Sequence, residues 1–104
     1  MKTNIVISDY IQGRYNDVKL DKLETELKKV FSTLEKQYPN IPSGIEVEVT
    51  MSAKYQNTYI KVSNWGEYQQ VGLLEDAVQE ALENRGFEYS ELDGEDDYFN
   101  ISFE

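Results

Sequence analysis

Cysteine and histidine are both absent from this chain of 104 residues. Their absence excludes disulfide bonds, thiolate nucleophiles, imidazole bases and zinc sites built from Cys and His. The side chains left for chemistry are carboxylates, hydroxyls and lysines, none of which has an ordinary pKa near neutrality. Most enzyme classes are therefore excluded, and we expect a non-catalytic protein that uses no cofactor and no metal.

Long apolar runs are missing as well. The apolar run nearest the first residue, Ile5-Val6-Ile7, is much shorter than the apolar region of a signal peptide, and no stretch approaches the roughly 20 residues of a membrane span. A single domain covering residues 1–104 buries roughly 65% of its unfolded surface, which is enough for one modest core. We expect one soluble, cytoplasmic domain.

Basic residues are scarce only in the last third of the chain. Up to Leu74, nine acidic residues are balanced by nine basic ones. From Glu75 onward there are eleven acidic residues and one basic residue, Arg85, so this segment carries the whole net charge of -10. Such a field repels nucleic acids and membrane surfaces and attracts cationic partners.

The first helix is predicted by apolar residues that recur at three- and four-residue steps from Leu20 to Tyr38. Asp21 and Glu24 have the spacing of a capping box at its start, and Pro39 ends it. The second helix ends at Asn84-Arg85-Gly86, where glycine suits a left-handed C-cap. Its start is less certain, because Asn64 would cap an early start whereas the glycines that follow favour Leu73.

Alternating and β-branched segments predict strands at 3–11, 45–52, 58–63, 87–92 and 98–103, with an acidic turn at 93–97. The order β-α-β-β-α-β-β predicts an α+β fold with a ferredoxin-like layout and an added C-terminal hairpin. In that layout both helices cover one face of a mainly antiparallel sheet, toward which Phe99, Ile101 and Phe103 alternate.

The acidic run from Asp93 to Asp97 has part of the pattern of a calcium-binding loop. Acids at 93, 95, 97 and 104 match positions one, three, five and twelve of an EF-hand loop. The sixth position needs glycine and is Tyr98, within a predicted strand. We therefore interpret the run as a solvated acidic turn without a metal ion.

Carboxylates of the second helix and the hairpin are the candidate binding residues. Asp76, Glu80 and Glu83 fall at steps of four and three opposite the predicted buried face, where like charges repel and destabilise an isolated helix. The alternative is a solvated face that serves solubility. The predicted partner-binding residues are Asp76, Glu80, Glu83, Glu88, Glu91, Asp93, Glu95, Asp96 and Asp97.

Two further patterns are candidates for other contacts. Three lysines recur every seven residues on the outer face of the first helix and have the spacing to contact phosphates, although the chain as a whole repels nucleic acid. Three tyrosines point outward by strand parity, for an interface or for cross-strand packing. These residues are Lys22, Lys29 and Lys36, and Tyr55, Tyr59 and Tyr98.

In size, in its lack of Cys and His, and in the dense acids of ALENRGFEYSELDGEDDYFN, the chain resembles small acidic inhibitors of phages and mobile elements. These proteins imitate DNA and block restriction or CRISPR nucleases. No motif is shared, so no functional residue is transferred. The resemblance implies a stoichiometric inhibitor that occupies the basic nucleic-acid-binding groove of a nuclease without a cofactor. The alternatives are an immunity protein or antitoxin that neutralises a toxic nuclease, and an accessory interaction domain.

Overall fold

Strands and helices follow one another in the order expected from the sequence. The computed structural model describes residues 1–11, 17–54 and 57–104. The strands are β1 (Asn4–Ile7), β2 (Glu46–Met51), β3 (Thr58–Ser63), β4 (Tyr89–Glu95) and β5 (Tyr98–Phe103), and the helices are α1 (Asp17–Gln37) and α2 (Val71–Asn84). The predicted α+β class is confirmed. Within this part of the chain, neither helix has the length and apolar composition that a membrane span requires.

Helix α1 begins earlier than predicted and ends where predicted. Because it starts at Asp17, Asp21 and Glu24 lie inside it, and the predicted capping box is wrong. Instead, the Glu24 carboxylate forms an ion pair with Lys28 Nζ, one helical turn later, at a distance of 3.2 Å. The helix ends at Gln37, two residues before Pro39, since the residue preceding a proline disfavours helical geometry.

Helix α2 begins at Val71, between the two predicted starts. Asn64 does not cap it: this residue has a positive φ of 66°, and its Nδ2 donates to the Gly44 carbonyl at 2.8 Å, which links two loops. The predicted glycine C-cap is confirmed, because Gly86 has a φ of 75° and the next amide, Phe87 N–H, donates back to the Leu82 carbonyl at 2.9 Å.

One five-stranded sheet has the order β1-β2-β3-β5-β4, with β1 and β2 parallel and all other neighbours antiparallel. The ferredoxin-like layout is not confirmed. In that layout a strand separates the two parallel strands of each βαβ unit, whereas β1 pairs directly with β2 at the sheet edge. The structure does contain one such split unit, which is formed by β3, α2 and β4, because β5 lies between β3 and β4. The β4–β5 hairpin therefore occupies the edge opposite β1.

Strand alternation divides the sheet into a buried face and an uncovered face. Val47, Val62 and Phe99 are neighbours across three strands, and each is at most 2% exposed. They belong to one core cluster with the buried residues of both helices, so the prediction that both helices cover one face is confirmed. The alternate residues of each strand lie on the other face, which neither α1 nor α2 covers. The inward alternation of Phe99, Ile101 and Phe103 is confirmed as well.

The β4–β5 hairpin has a tighter turn than predicted. Strand β4 continues to Glu95, which pairs with Tyr98, so the turn consists of Asp96 and Asp97 alone. The prediction of an acidic turn over 93–97 is therefore wrong, and Asp93 and Glu95 are strand residues.

Gly94 explains why β4 can continue so far. It pairs with Phe99, and a β carbon at Gly94 would lie 2.6 Å from the Tyr98 carbonyl oxygen and 2.9 Å from Phe99 Cα. Nonbonded heavy atoms do not approach so closely, and both obstacles are backbone atoms of β5 that cannot rotate away. Only a residue without a side chain allows the two strands to pair at this point.

We expect Gly94→Ala to lower the free energy of unfolding by about 1 to 3 kcal/mol, because the added methyl group must displace β5. Urea denaturation measures the change. Gly72→Ala is the matched control: this glycine lies in α2, and the added methyl group would meet nothing within 4 Å apart from its chain neighbours and the backbone of its own helix. The substitution should leave stability unchanged or raise it by up to about 1 kcal/mol. Equal stability of Gly94→Ala and the wild type would contradict the close approach.

Candidate protein-binding surface

Eight of the nine predicted binding carboxylates are exposed and lie on the elements at one side of the fold. Strand β4 forms the sheet edge, and α2 contacts both β4 and β5. The ninth residue, Glu91, belongs to β4, but its side chain lies outside the described part of the structure. We call the eight residues the acidic edge: Asp76, Glu80, Glu83, Glu88, Asp93, Glu95, Asp96 and Asp97.

The three carboxylates of α2 point away from the core, as the helical spacing predicts, but they have different neighbours. Asp76 and Glu80 border a groove between α2 and α1, on the side of the helix that faces α1. Glu83 accepts a hydrogen bond from the Tyr89 hydroxyl at 2.5 Å, which joins α2 to β4. This hydrogen bond, followed by partial desolvation, raises the pKa of Tyr89 above its usual value of 10.0. Asp76 and Glu80 thus form no ion pair within the described residues, whereas Glu83 joins two elements.

The hairpin contributes carboxylates in two different settings. Asp93 and Glu95 pair with Asn100 and Tyr98 and lie on the uncovered face, since the intervening Gly94 pairs with the inward Phe99. Residues two apart on a strand are separated by roughly 6.6 to 6.8 Å. Two further acids, at 96 and 97, occupy the turn itself. The hairpin therefore carries two carboxylates along an edge strand and two more in its turn.

Within the described residues, no ion pair involves any carboxylate of the acidic edge. Arg85 is the one base of the C-terminal third, and it borders a depression beside Asp21 and Glu26 of α1 rather than the hairpin. Its Nε atom is buried without a hydrogen-bond partner among the described residues. The negative charge of the acidic edge is therefore not neutralised from within.

A metal site at the acidic run has no support in the geometry. Asp93 and Glu95 project from a strand, whereas an EF-hand loop needs these positions in a tight loop around the ion. Across the described ranges, no group of three or more carboxylates is placed to hold a metal ion.

Of the outward tyrosines, Tyr59 and Tyr98 are half-buried on the uncovered sheet face, as strand parity predicts. Tyr55 lies outside the described residues. The Lys61 Nζ atom stands 4.9 Å from the centroid of the Tyr98 ring, a cation–π contact within this face. Sequence reasoning missed this contact, because it depends on the register in which Lys61 of β3 lies diagonal to Tyr98 of β5.

The groove between α1 and α2 was also missed by sequence reasoning. Both helices have apolar faces at helical period, which is the signal that they pack side by side, but the spacing does not show which residues border the contact. The three heptad-spaced lysines are exposed, as predicted, and Lys29 borders this groove opposite Asp76 and Glu80. The lysine row is therefore not a uniform basic face, since Lys29 lies among carboxylates.

No family model, no curated protein and no solved structure matches this chain. The resemblance to acidic inhibitors remains a hypothesis based on composition and size.

The pH dependence of stability offers a test of the charge on α2. Burial of the half-exposed Glu75 carboxylate, and then the charge of Asp76, raise the pKa of Glu75 above its usual 4.5. The folded protein holds this proton more tightly than the unfolded chain, so ionisation of Glu75 destabilises the fold. That cost is absent below the usual pKa, develops as the pH rises through the raised pKa, and persists at neutral pH.

We expect Glu75→Gln to raise the melting temperature at pH 7, through an increase of at most about 0.5 kcal/mol in the free energy of unfolding. Near pH 3.5 the substitution should have no such effect. Differential scanning calorimetry at both pH values measures this. Glu67→Gln removes the same charge from an exposed loop position and controls for the general relief of repulsion. A gain no larger than that of Glu67→Gln would show that burial of Glu75 has no energetic consequence.

Proposed function

We propose that this protein is a non-catalytic acidic binding protein whose acidic edge occupies the basic nucleic-acid-binding groove of a partner protein. The proposed partner is a defence nuclease, either a CRISPR effector or a restriction enzyme, which the binding inhibits. One observation carries the proposal: eight exposed carboxylates lie on α2 and on the adjoining segment from Glu88 to Asp97, and no ion pair within the described residues neutralises them.

The spacing of the carboxylates supports mimicry of a nucleic-acid backbone. Alternate residues of β4 are separated by roughly 6.6 to 6.8 Å, and Asp76 and Glu80, one helical turn apart, are separated by about 6 Å along the helix axis. A DNA strand has one phosphate for each 3.4 Å or so of helix axis. Within each of these two pairs the spacing is thus about twice the rise per phosphate along the DNA axis, which suits a groove lined by Lys and Arg.

The field of the acidic edge also fits rapid association. Complementary charge accelerates the encounter of two proteins by roughly 10- to 1,000-fold and favours the correct orientation. Because the excess charge is carried by α2 and the adjoining hairpin, it attracts a cationic groove toward these elements.

An immunity protein or antitoxin that covers the active site of a toxic nuclease would use the same carboxylates, and only the identity of the partner separates it from an inhibitor of a defence nuclease. An accessory interaction domain is the other alternative. The uncovered sheet face, with Tyr59 and Tyr98, favours that alternative because tyrosine is enriched in interface cores. It predicts that binding survives charge reversal at α2 and at the turn.

We expect a salt-sensitive complex with a basic nucleic-acid-binding protein, and no binding to DNA itself. Immobilised protein is incubated with host lysate at low salt, and the bound proteins are eluted with rising salt and identified. The partner's own nucleic acid should compete with this protein, because both occupy one cationic groove. An acidic partner, or one retained equally at low and high salt, would contradict the proposal.

Charge-reversal variants locate the contact on the identified partner. Replacing Asp76 and Glu80 by Lys, and separately Asp96 and Asp97 by Lys, should each slow association about tenfold or more. Both changes should leave the free energy of unfolding within about 0.5 kcal/mol, because all four side chains are exposed. Glu83 is kept, since its hydrogen bond to Tyr89 is structural.

Asp21→Lys combined with Glu67→Lys is the matched control, because these exposed residues lie outside the acidic edge and the change in net charge is the same. Association measured by biolayer interferometry should be nearly unaffected by this control. Equal slowing by the control and the two test variants would show that net charge, and not the acidic edge, drives association.

A further inference from the structure

The groove between α1 and α2 has an apolar floor. We call it the interhelical groove; four of the residues that line it are Val30 and Leu34 of α1 and Leu73 and Ala77 of α2. Three of these are buried in the core, and Leu73 is half-buried against it. Ala77 offers only a methyl group where the two helices meet, which leaves room between them. The floor is a narrow apolar strip, because its three core residues each expose less than a tenth of their surface.

The rim of the interhelical groove is charged. Asp76 and Glu80 stand one helical turn apart on α2, and Lys29 and Glu26 border the groove on α1. Glu26 accepts a hydrogen bond from Asn84 Nδ2 at 3.3 Å. Neither Asp76 nor Glu80 forms an ion pair within the described residues, although Lys29 lines the same groove. Three carboxylates against one ammonium group leave the groove with an excess of two negative charges.

We propose that the interhelical groove receives an arginine side chain of the basic partner. The aliphatic stem of the arginine lies on the apolar floor, and its guanidinium group donates to the carboxylates of Asp76 and Glu80. This inference rests on the proposed function, and it identifies which part of the acidic edge makes a specific contact rather than a long-range electrostatic one.

The chemistry of the groove favours arginine over other cations. A guanidinium group has five donors in a planar fork and spans two carboxylates, whereas an ammonium group is a compact, strongly hydrated charge. Long basic side chains also bury their stems on apolar surface while the charged group stays at the rim. The groove encloses about 320 Å³, at the lower end of the roughly 300 to 1,000 Å³ of ligand pockets, which suits one side chain better than a cofactor.

N-acetyl-arginine amide is a direct probe of this contact. Titration into the isotopically labelled protein, followed by two-dimensional amide NMR, should produce saturable shifts at Thr33, Leu73 and Ala77, with a Kd of about 1 mM, or about -4 kcal/mol. N-acetyl-citrulline amide has nearly the same shape without the charge and should produce no saturable shift. N-acetyl-lysine amide should bind at least about threefold more weakly.

Two double variants separate the groove from the general field of the acidic edge. Asp76→Asn with Glu80→Gln should weaken arginine binding about tenfold, because both guanidinium acceptors lose their charge. Asp96→Asn with Asp97→Asn removes the same charge from the hairpin turn and should change the Kd less than about twofold. Equal weakening by both variants, or shifts spread along the whole acidic edge, would overturn the proposal.

A bulky substitution at the border of the groove tests whether the arginine stem enters it, without changing the charge. Thr33→Trp places an indole ring at the exposed border of the groove, whereas Thr25→Trp places the same ring on α1 about 12 Å earlier along the helix axis. The first should abolish saturable arginine binding, and the second should preserve it. Unimpaired binding to Thr33→Trp would show that the guanidinium contacts carboxylates without entering the groove.

The failures of the two proposals are distinguishable. If partner capture depends on the acidic edge but the arginine probe produces no saturable shift, the groove inference is wrong and the proposed function stands. If the arginine probe binds in the groove but no basic partner is retained at low salt, the proposed function is wrong while the groove remains an arginine-binding site.

Discussion

Burial of a single sheet face under both helices is the constraint from which the surface of this protein follows. Because α1 and α2 share that face, they pack side by side, and the interhelical groove forms along their contact. The other face keeps its tyrosines and its Lys61–Tyr98 contact accessible. The same packing places α2 beside β4, the edge strand, so that the two elements that carry the acidic edge adjoin each other.

Repulsion among the carboxylates of the acidic edge lowers the stability of the fold by an amount that the core can tolerate. Like charges at adjacent helical turns destabilise a helix by a few tenths of a kcal/mol per pair, which is small beside the 5 to 15 kcal/mol that stabilise a typical domain. In α1, by contrast, Glu24 is paired with Lys28. Within the described residues, charge is thus paired on α1 and left without an ion pair on α2, which gives the protein a directional field. A cationic partner would reduce the repulsion on α2 when it binds.

Local patterns predicted the elements whose ends are encoded nearby. The helical spacing and Pro39 located most of α1, Gly86 located the end of α2, and alternation located β5 and the outward tyrosines. The errors concern one helix start and one turn. Asp21 and Glu24 have the spacing of a capping box but lie within α1, which extends upstream to Asp17. The turn predicted at 93–97 is shorter because Gly94 faces Phe99, a contact that exists only once β4 and β5 are paired.

By itself, the sequence determined the α+β class, the order of the elements, the absence of Cys and His chemistry, and the concentration of net charge from Glu75 onward. It also determined that Asp76, Glu80 and Glu83 point away from the core, because helical periodicity is a local property. Only the tertiary structure decided that β1 pairs with β2 at the sheet edge, that Asp76 and Glu80 face α1 across an apolar floor, and that Glu83 bonds to Tyr89. The first two relations join residues far apart in the chain, and Glu83 meets Tyr89 only because the chain turns back between α2 and β4. All three depend on sheet register and helix packing, which no local pattern specifies.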